Sequence, residues 1–178
     1  MSAAQGRLND FVVKIATANG TGSASANSLL LKAYFRMGIP VVGKNYFPSN
    51  IQGMPTWYEI RVTRDGYTAR SGEIDIMIAM NAETYAQDIR EVAPGGYLLY
   101  DSTWPRQQVL SRHDITVIGV PLAQMVNDAF ANARVRILMK NMAYVGALAA
   151  LTDIDMDTIR NLITEMFAGK PKLVPANM

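Results

Sequence analysis

The sequence predicts an α/β fold in which a mostly parallel sheet is flanked by helices and interrupted by an inserted antiparallel hairpin. Continuous apolar runs at 11–16 and 74–81 indicate buried strands, and a helical pattern follows each of them. The polar–apolar alternation at 57–62 instead indicates a half-buried strand of a hairpin. Of the 178 residues, 49% are hydrophobic, which is enough for the core of one domain. A Rossmann-like domain is therefore expected.

The first strand leads through a turn of small residues into an amphipathic helix. Ser23 or Ser25 is a candidate N-cap for this helix, which runs to about Arg36. Gly38 follows the last helical turn as a stop signal. A short second strand is then expected at 41–42.

The inserted hairpin is predicted from the alternation that follows. It should turn at Arg64-Asp65-Gly66, because Asp-Gly tolerates a positive φ, and return along residues 67–70. The first strand of the hairpin should present two different faces: Trp57, Glu59 and Arg61 on one, and Tyr58, Ile60 and Val62 on the other.

The second half of the chain repeats the strand–helix rhythm. After the strand at 74–81, a helix at 82–92 should be stopped by Pro94, Gly95 and Gly96. Further strands are expected at 97–101 and 114–121, and largely helical segments at 122–150 and 153–170. We expect residues 1–169 to form the domain and 170–178 to form an unpacked tail or a linker to a following domain.

Composition and charge exclude several functions. The net charge of +2 and the scattered basic residues give no nucleic-acid surface. With no cysteine, the chain supplies no disulfide, thiolate metal ligand or cysteine nucleophile. No apolar run is long enough to span a membrane, so a cytoplasmic protein is expected. The one histidine, His113, is interpreted as a polar turn residue, and we assign no catalytic residue or metal ligand to this chain.

The turn after the first strand is the first candidate binding element. It lies between the carboxyl end of a strand and the amino end of a helix, where backbone N–H groups and the helix dipole favour an anion. Its string differs from the Walker loop and lacks the third glycine of the dinucleotide fingerprint, so NAD binding is only weakly indicated. A tight structural turn is the alternative. The candidate residues are Asn19, Gly20, Thr21, Gly22 and Ser23.

The polar loop after the second strand is the second candidate. It should lie beside the first turn, because the carboxyl ends of adjacent parallel strands meet at one edge of the sheet. A long polar loop there often binds a ligand, although a solvated loop is the alternative. The candidate residues are Lys44, Asn45, Ser49, Asn50, Gln52 and Gly53, and Lys44 is expected to add a point charge.

A third polar group ends the strand at 97–101. Asp101, Ser102 and Thr103 could orient a ligand or a neighbouring subunit. The alternative is that Asp101 caps a turn while Trp104 packs against the surface.

Together these segments resemble a known family. The glycine-containing turn, the helix to "GIPV", "SNIQGMPTWYEIRV", "IDIMIAMN" and "PGGYLLYDS" occur in the order seen in the gamma-type domain of the 2-oxoacid:ferredoxin oxidoreductases. The sequence looks most like the N-terminal domain of the alpha subunit of the 2-oxoglutarate-type enzymes, to about Gly169. The first turn, "NGTGSASA", differs from the richer glycine run common in the family.

The resemblance implies a function for the assembled enzyme. Such enzymes convert a 2-oxoacid and coenzyme A into acyl-coenzyme A and CO₂ and reduce ferredoxin. They use thiamine diphosphate, Mg²⁺ and iron–sulfur clusters, held mainly by other domains or subunits. The implied partners are the remaining alpha-subunit domains, the thiamine-diphosphate-binding beta subunit and, through the complex, ferredoxin. The loop "SNIQGM" would meet coenzyme A, and the isolated chain would be inactive.

Two other classes of function stay open at this point. The chain could be a stand-alone Rossmann-like module that binds a nucleotide or another phosphate-bearing ligand. It could also be a structural assembly domain whose loops make subunit contacts. The chain is not expected to be a stable monomer, because its aromatic and methionine side chains supply more apolar surface than one small sheet needs. Some of that surface should cover a partner, since aromatic residues and methionine are enriched at such contacts. The residues concerned are Trp57, Tyr58, Trp104, Met139 and Met142.

Overall fold

The computed structural model describes residues 9–48, 51–69, 72–105 and 112–178. Strands with helices between some of them come first, and helices follow the last strand. In chain order they are β1 (Phe11–Ala18), α1 (Ser23–Arg36), β2 (Val41–Tyr46), β3 (Pro55–Val62), β4 (Ile74–Ala79), α2 (Tyr85–Glu91), β5 (Val92–Asp101), β6 (Thr116–Val120), α3 (Leu122–Ala129), α4 (Ala133–Leu151), α5 (Met156–Met166), a 3₁₀ turn (Pro171–Leu173) and α6 (Val174–Asn177).

The strands form one mixed sheet in the order β2-β3-β1-β4-β5-β6. The pairs β1–β4, β4–β5 and β5–β6 are parallel, whereas β2–β3 and β3–β1 are antiparallel. Three of the five pairs are therefore parallel, and the predicted α/β fold with flanking helices is confirmed.

The antiparallel hairpin has different partners from those predicted. β3 pairs with β2 on one side and with β1 on the other, and described residues 67–69 form no return strand. A strand has two hydrogen-bonding edges, and both edges of β3 are already occupied. β2 is also longer than expected, since it continues through Gly43, Lys44 and Asn45.

The two faces of the sheet bury cores of unequal size. The larger core packs α1, α4 and α5 against the sheet, and Tyr58, Ile60 and Val62 point into it. The smaller core packs α2 around Met77 and Leu98. The predicted two-faced pattern of β3 is thus confirmed, because the side chains that alternate with this apolar set face the α2 side of the sheet.

A buried polar cluster joins α2 to the smaller face. Asp88 is fully buried; its Oδ1 accepts a hydrogen bond of 2.9 Å from Trp57 Nε1, and its Oδ2 accepts one of 2.6 Å from Thr84 Oγ1. Lys14 Nζ lies 5.6 Å from the centre of the Trp57 ring and pairs with the Glu91 carboxylate. Burial raises the pKa of Asp88 from 3.8 to about 6, although the hydrogen bonds from Thr84 and Trp57 oppose that shift.

Several helix and strand boundaries differ from those predicted from the sequence. Gly22, rather than Ser23 or Ser25, occupies the N-cap position of α1, and none of the described side chains caps this helix. Pro94, Gly95 and Gly96 lie inside β5, where the register with β4 shifts and Gly95 takes a φ of +81°. The predicted stop for helix α2 is therefore a bulged start of the next strand.

The residues after Gly169 are not unpacked. Pro171–Leu173 and Val174–Asn177 form two short helical turns, and Val174 packs against the larger core. Whether the chain leads into a following domain stays a prediction. Within the described ranges, no helix combines the length and the apolar character that crossing a membrane requires.

The side chains expected to cover a partner are mostly internal. Trp57, Tyr58 and Met139 are each 9% exposed and belong to the protein's own interior. Trp104, in contrast, is 50% exposed. The composition predicted more apolar side chains than one core needs, but most of the side chains named for a partner contact are buried inside the protein.

The Tyr58 side chain of β3 packs directly over Gly43 of β2, so this position requires a glycine. A Cβ atom at Gly43 would overlap the Tyr58 hydroxyl, so Gly43→Ala should lower the free energy of unfolding by about 1–3 kcal/mol. Gly146→Ala is the matched control. Apart from the helix itself, no atom of the described residues lies within 4 Å of its Cβ position, and alanine favours the helix by about 0.5–1 kcal/mol. Urea denaturation measures both changes. Equal effects of the two substitutions would contradict this account.

The shifted Asp88 carboxyl should make stability depend on pH. Between about pH 4 and 6 the folded chain binds more protons at Asp88 than the unfolded chain, so its contribution to stability falls as pH rises. The free energy of unfolding of Asp88→Asn, relative to that of the wild type, should therefore rise by on the order of 1–3 kcal/mol between pH 4.5 and 7.5 in urea denaturation.

Asp155→Asn is the control for this pH series. Hydrogen bonds from Thr158 lower the pKa of Asp155, so its carboxyl is ionised throughout the window in both states. The difference between this variant and the wild type should stay flat with pH. A flat difference for Asp88→Asn as well would show that Asp88 does not titrate as described.

Candidate functional site

The turn after β1 is shaped by two glycines in the left-handed region. Gly20 has a φ of +85° and Gly22 a φ of +82°. Thr21 closes the turn, since its Oγ1 donates to the carbonyl of Ala18 at 2.8 Å. Ser23 begins α1, and its Oγ accepts from Thr17 Oγ1 at 3.0 Å inside the fold. Ser23 therefore anchors the helix start to β1 instead of capping the helix.

The β2–β3 loop is joined directly to this turn. The backbone N–H of Asn19 donates to the Met54 carbonyl at 2.8 Å, and the N–H of Gly53 donates to the Asn19 carbonyl at 2.9 Å. Asn19 Nδ2 also donates to the Ile51 carbonyl at 3.3 Å. The predicted convergence of the two loops is thus observed, but β3 separates β1 from β2, so the loops meet through an antiparallel neighbour.

A cavity of about 340 Å³ lies between the turn, β2, β3 and the amino end of α1; we call it the loop cavity. Five of the predicted residues line it, and they come from the turn and from β2. The described lining residues are Thr17, Asn19, Gly20, Gly22, Ser23, Ala24, Asn27, Asn45, Phe47, Thr56, Trp57 and Tyr58.

The other predicted residues lie elsewhere. Gln52 packs against Gly20, and Gly53 shapes the loop with a φ of +87°. Thr21 faces the other side of the turn. Ser49 and Asn50 fall outside the described residues.

Lys44 does not line the loop cavity, so the expected point charge is not at this site. Neighbouring side chains of a strand point to opposite faces, so Lys44 and Asn45 diverge. Asn45 lines the loop cavity, whereas Lys44 lines a separate depression with Glu59 and lies 5.3 Å from the Tyr46 ring centre. None of the described residues that line the loop cavity is charged.

Several lining residues were not predicted from the sequence, although helix spacing or strand pairing places them next to residues that were predicted. Asn27 lies four residues after Ser23, on the same face of α1. Tyr58 pairs with Asn45 across the β2–β3 ladder. Asn27 is held rigidly, because its Oδ1 accepts from the buried Tyr144 hydroxyl at 2.9 Å, and burial raises the pKa of Tyr144.

Asp101 acts as the cap of a turn. Its Oδ1 accepts hydrogen bonds from Thr103 N at 3.2 Å, Thr103 Oγ1 at 2.6 Å and Ala123 N at 3.2 Å. The structural alternative for "DSTWP" is therefore correct for Asp101, while Trp104 is half exposed. His113 is exposed in the turn before β6, as predicted.

The chain belongs to the pyruvate ferredoxin/flavodoxin oxidoreductase family, whose model matches residues 12–178. It is 32% identical, over 95% of its length, to subunit alpha of 2-oxoacid:ferredoxin oxidoreductase 2 from Aeropyrum pernix, and covers 32% of that subunit. It is 30% identical, over 58% of its length, to ketoisovalerate oxidoreductase subunit VorA from Methanothermobacter thermautotrophicus, and covers 20% of it. The chain thus spans a third or less of the length of these relatives.

Solved structures of the family share the fold. The 2-oxoglutarate:ferredoxin oxidoreductase of Magnetococcus marinus, solved with 2-oxoglutarate, coenzyme A and succinyl-CoA bound, superposes with a TM-score of 0.81 at 23% identity, covering 95% of this chain and 29% of that one. The pyruvate oxidoreductase subunit PORC of Thermotoga maritima superposes with a TM-score of 0.76 at 18% identity, covering 95% and 91%. The resemblance to the gamma-type domain predicted from the sequence is confirmed.

Gly20 and Gly22 should respond alike to an added side chain. A Cβ atom at Gly22 would lie 2.5 Å from Leu138 Cδ2, and one at Gly20 would lie 2.8 Å from Gln52 Cγ. Leu138 is 43% exposed and Gln52 is also exposed, so each side chain can move aside. The left-handed backbone remains as the main cost, so Gly20→Ala and Gly22→Ala should each lower the free energy of unfolding by about 1–3 kcal/mol in chemical denaturation.

Leu138→Ala tests whether overlap contributes to the cost at Gly22. In the Gly22→Ala background it should restore little stability, so the effects of the two substitutions should be additive. A clear recovery of stability would show that the Leu138 side chain cannot move aside.

Proposed function

We propose that this chain is part of a 2-oxoacid:ferredoxin oxidoreductase and forms one wall of its coenzyme A site. The observation that carries the proposal is the loop cavity, which the predicted turn and β2 build together at the carboxyl edge of the sheet. The complete reaction, from 2-oxoacid and coenzyme A to acyl-coenzyme A, CO₂ and reduced ferredoxin, would belong to the whole complex. The ligands of the Magnetococcus marinus structure support 2-oxoglutarate as the 2-oxoacid.

The lining of the cavity suits the uncharged arm of coenzyme A. Asn19 and Asn45 provide amides, Thr56 provides a hydroxyl, and Phe47 and Tyr58 provide aromatic surface. The pantetheine arm contains amides and methylene groups, which match such a mixed lining. The described lining residues include no cation for a phosphate, so the phosphates of coenzyme A would be met by groups outside this cavity. This also argues against a stand-alone phosphate-binding module.

The redox and decarboxylation chemistry would come from other parts of the complex. Thiamine diphosphate would stabilise the carbanion formed on decarboxylation, and iron–sulfur clusters would carry the electrons. This chain has no cysteine for a cluster, and its described residues contain no group of three or more acidic or histidine side chains that could hold a metal ion. The role of its own residues is to bind and orient coenzyme A, so the isolated chain would not turn over a 2-oxoacid.

The β2–β3 loop provides a surface for the remaining partners. Phe47, Ile51 and Met54 are exposed apolar side chains on this loop, and Phe47 lines the loop cavity. Exposed apolar groups that lie together often mark a protein contact. We propose that the remaining alpha-subunit domains or the thiamine-diphosphate-binding beta subunit cover them, in a cytoplasmic complex that passes electrons to ferredoxin.

Asn45→Ala tests the proposed site. It removes an exposed amide from the wall without touching the core, and loss of one hydrogen bond of about 0.5–1.5 kcal/mol should raise the apparent KM for coenzyme A by about twofold to tenfold. The KM for the 2-oxoacid should not change. Steady-state kinetics of the reconstituted complex, with coenzyme A and 2-oxoacid varied separately, measure both constants.

Lys44→Ala is the matched control, since this neighbour in β2 faces away from the cavity. It should leave the KM for coenzyme A unchanged. The proposal fails if Asn45→Ala leaves the coenzyme A dependence unchanged, or if it affects only saturation by the 2-oxoacid. An effect of Lys44→Ala equal to that of Asn45→Ala would show that the loss is not specific to the cavity.

A further inference from the structure

The floor of the loop cavity is formed by the start of α1. Ser23 and Asn27 lie one turn apart on the same face of this helix, and both line the cavity. They are 7% and 3% exposed. Gly22 is the N-cap and none of the described side chains caps the helix, so the backbone N–H groups of its first turn have no side-chain acceptor. The backbone at this floor therefore offers hydrogen-bond donors rather than acceptors.

Asn27 presents its amide nitrogen to this floor. Its Oδ1 accepts from the hydroxyl of Tyr144, which is fully buried on α4 and is not among the described lining residues. A buried hydroxyl proton needs an acceptor and only the amide oxygen can accept, so this bond turns Oδ1 away from the cavity and Nδ2 toward it. Within the described residues Nδ2 has no acceptor, and it is not one of the unbonded atoms that the fold closes off from solvent. A ligand in the cavity can therefore reach it.

Ser23 adds a second side-chain donor beside this amide. Its Oγ accepts from Thr17 Oγ1 at 3.0 Å, which leaves its own hydroxyl proton to be donated, and none of the described residues accepts that proton. The described lining residues include no charged side chain, so a phosphate would find no counter-ion here. Two neutral donors on one helix face instead suit a neutral carbonyl oxygen, which has two lone pairs.

We propose that Asn27 Nδ2 and the Ser23 hydroxyl bind one amide carbonyl oxygen of the pantetheine arm, and that Tyr144 is a positioning residue which holds the Asn27 amide for this contact. The inference rests on the proposed coenzyme A site and assigns the donors within it. A ligand that fills the cavity without an acceptor at this point would leave both donors unsatisfied, which is costly. The pair therefore selects for a carbonyl over a methylene group at the floor of the cavity.

The test is equilibrium binding of coenzyme A and of pantetheine to the reconstituted complex, measured by calorimetry without a 2-oxoacid, so that no turnover occurs. Asn27→Asp keeps an oxygen for the Tyr144 hydroxyl but replaces the donor by a second acceptor, so both probes should bind about tenfold or more weakly. Pantetheine carries no charge, so repulsion between the new carboxylate and the phosphates of coenzyme A cannot explain its loss. Tyr144→Phe frees the amide to rotate and should weaken both probes severalfold.

A double variant and a second tyrosine separate positioning from a general loss of stability. Once Asn27→Asp has removed the donor, Tyr144→Phe should weaken pantetheine binding little further. Tyr34→Phe is the matched control, because it removes the hydroxyl of another buried tyrosine, which bonds to Thr152 at 2.7 Å and does not line the loop cavity. It should lower the free energy of unfolding about as much as Tyr144→Phe and leave both affinities unchanged.

The inference is overturned if the wild-type complex does not bind pantetheine, if Asn27→Asp leaves that binding unchanged, or if Tyr34→Phe weakens it as much as Tyr144→Phe. A loss confined to coenzyme A would place the contact on a phosphate and overturn the assignment to a carbonyl. Should Asn27→Asp fail to assemble, the comparison of the two tyrosine variants still decides. If Asn45→Ala raises the KM for coenzyme A while Asn27→Asp changes neither affinity, the proposed function stands and this inference alone fails.

Discussion

The arrangement of the candidate site depends on the pairing of β3 with two strands at once. Because β1 and β2 pair with the two edges of β3, the β2–β3 loop lies beside the carboxyl end of β1. There the backbone of Asn19 bonds to Gly53 and Met54, so the turn and the loop form one continuous wall. If β1 and β2 were neighbouring parallel strands joined by a βαβ crossover, only the start of the connecting helix would border that space. The antiparallel insertion therefore creates the loop cavity.

The parts of the fold that local chemistry determines could be predicted from the sequence. The apolar runs of β1 and β4, the helix that ends before Gly38 and the two-faced pattern of β3 all follow from periodicity and turn residues. The partners of β3 could not be predicted, because pairing depends on contacts distant in sequence. β2 was underestimated for a related reason: Gly43 has a low strand propensity, but the Tyr58 ring of the neighbouring strand requires a glycine there.

The position of the candidate cavity followed from the sequence more closely than its lining did. Asn19, Gly20, Gly22, Ser23 and Asn45 line one cavity, although the expected adjacency of parallel strands was not the cause. Lys44 was misjudged because residues 43–46 were expected to form a loop, in which neighbouring side chains can point the same way. In the strand that forms instead, the alternation of faces separates Lys44 from Asn45. The expected serine cap failed because Ser23 bonds to Thr17 in the interior.

The correction at Lys44 changes where this edge of the sheet can hold charge. The loop cavity has uncharged described walls, while a second cavity on the other side of the Gly20–Gly22 turn, which we call the switch cavity, is lined by Thr21, Asn81 and Lys140. α4 connects the two, since it contributes Lys140 to the switch cavity and ties down the turn through the bond from Asn141 Nδ2 to the Thr21 carbonyl at 2.8 Å. A movement of α4 relative to β1 would therefore change both cavities together. Helix α4 and the glycine turn together therefore separate the two cavities at this edge of the sheet.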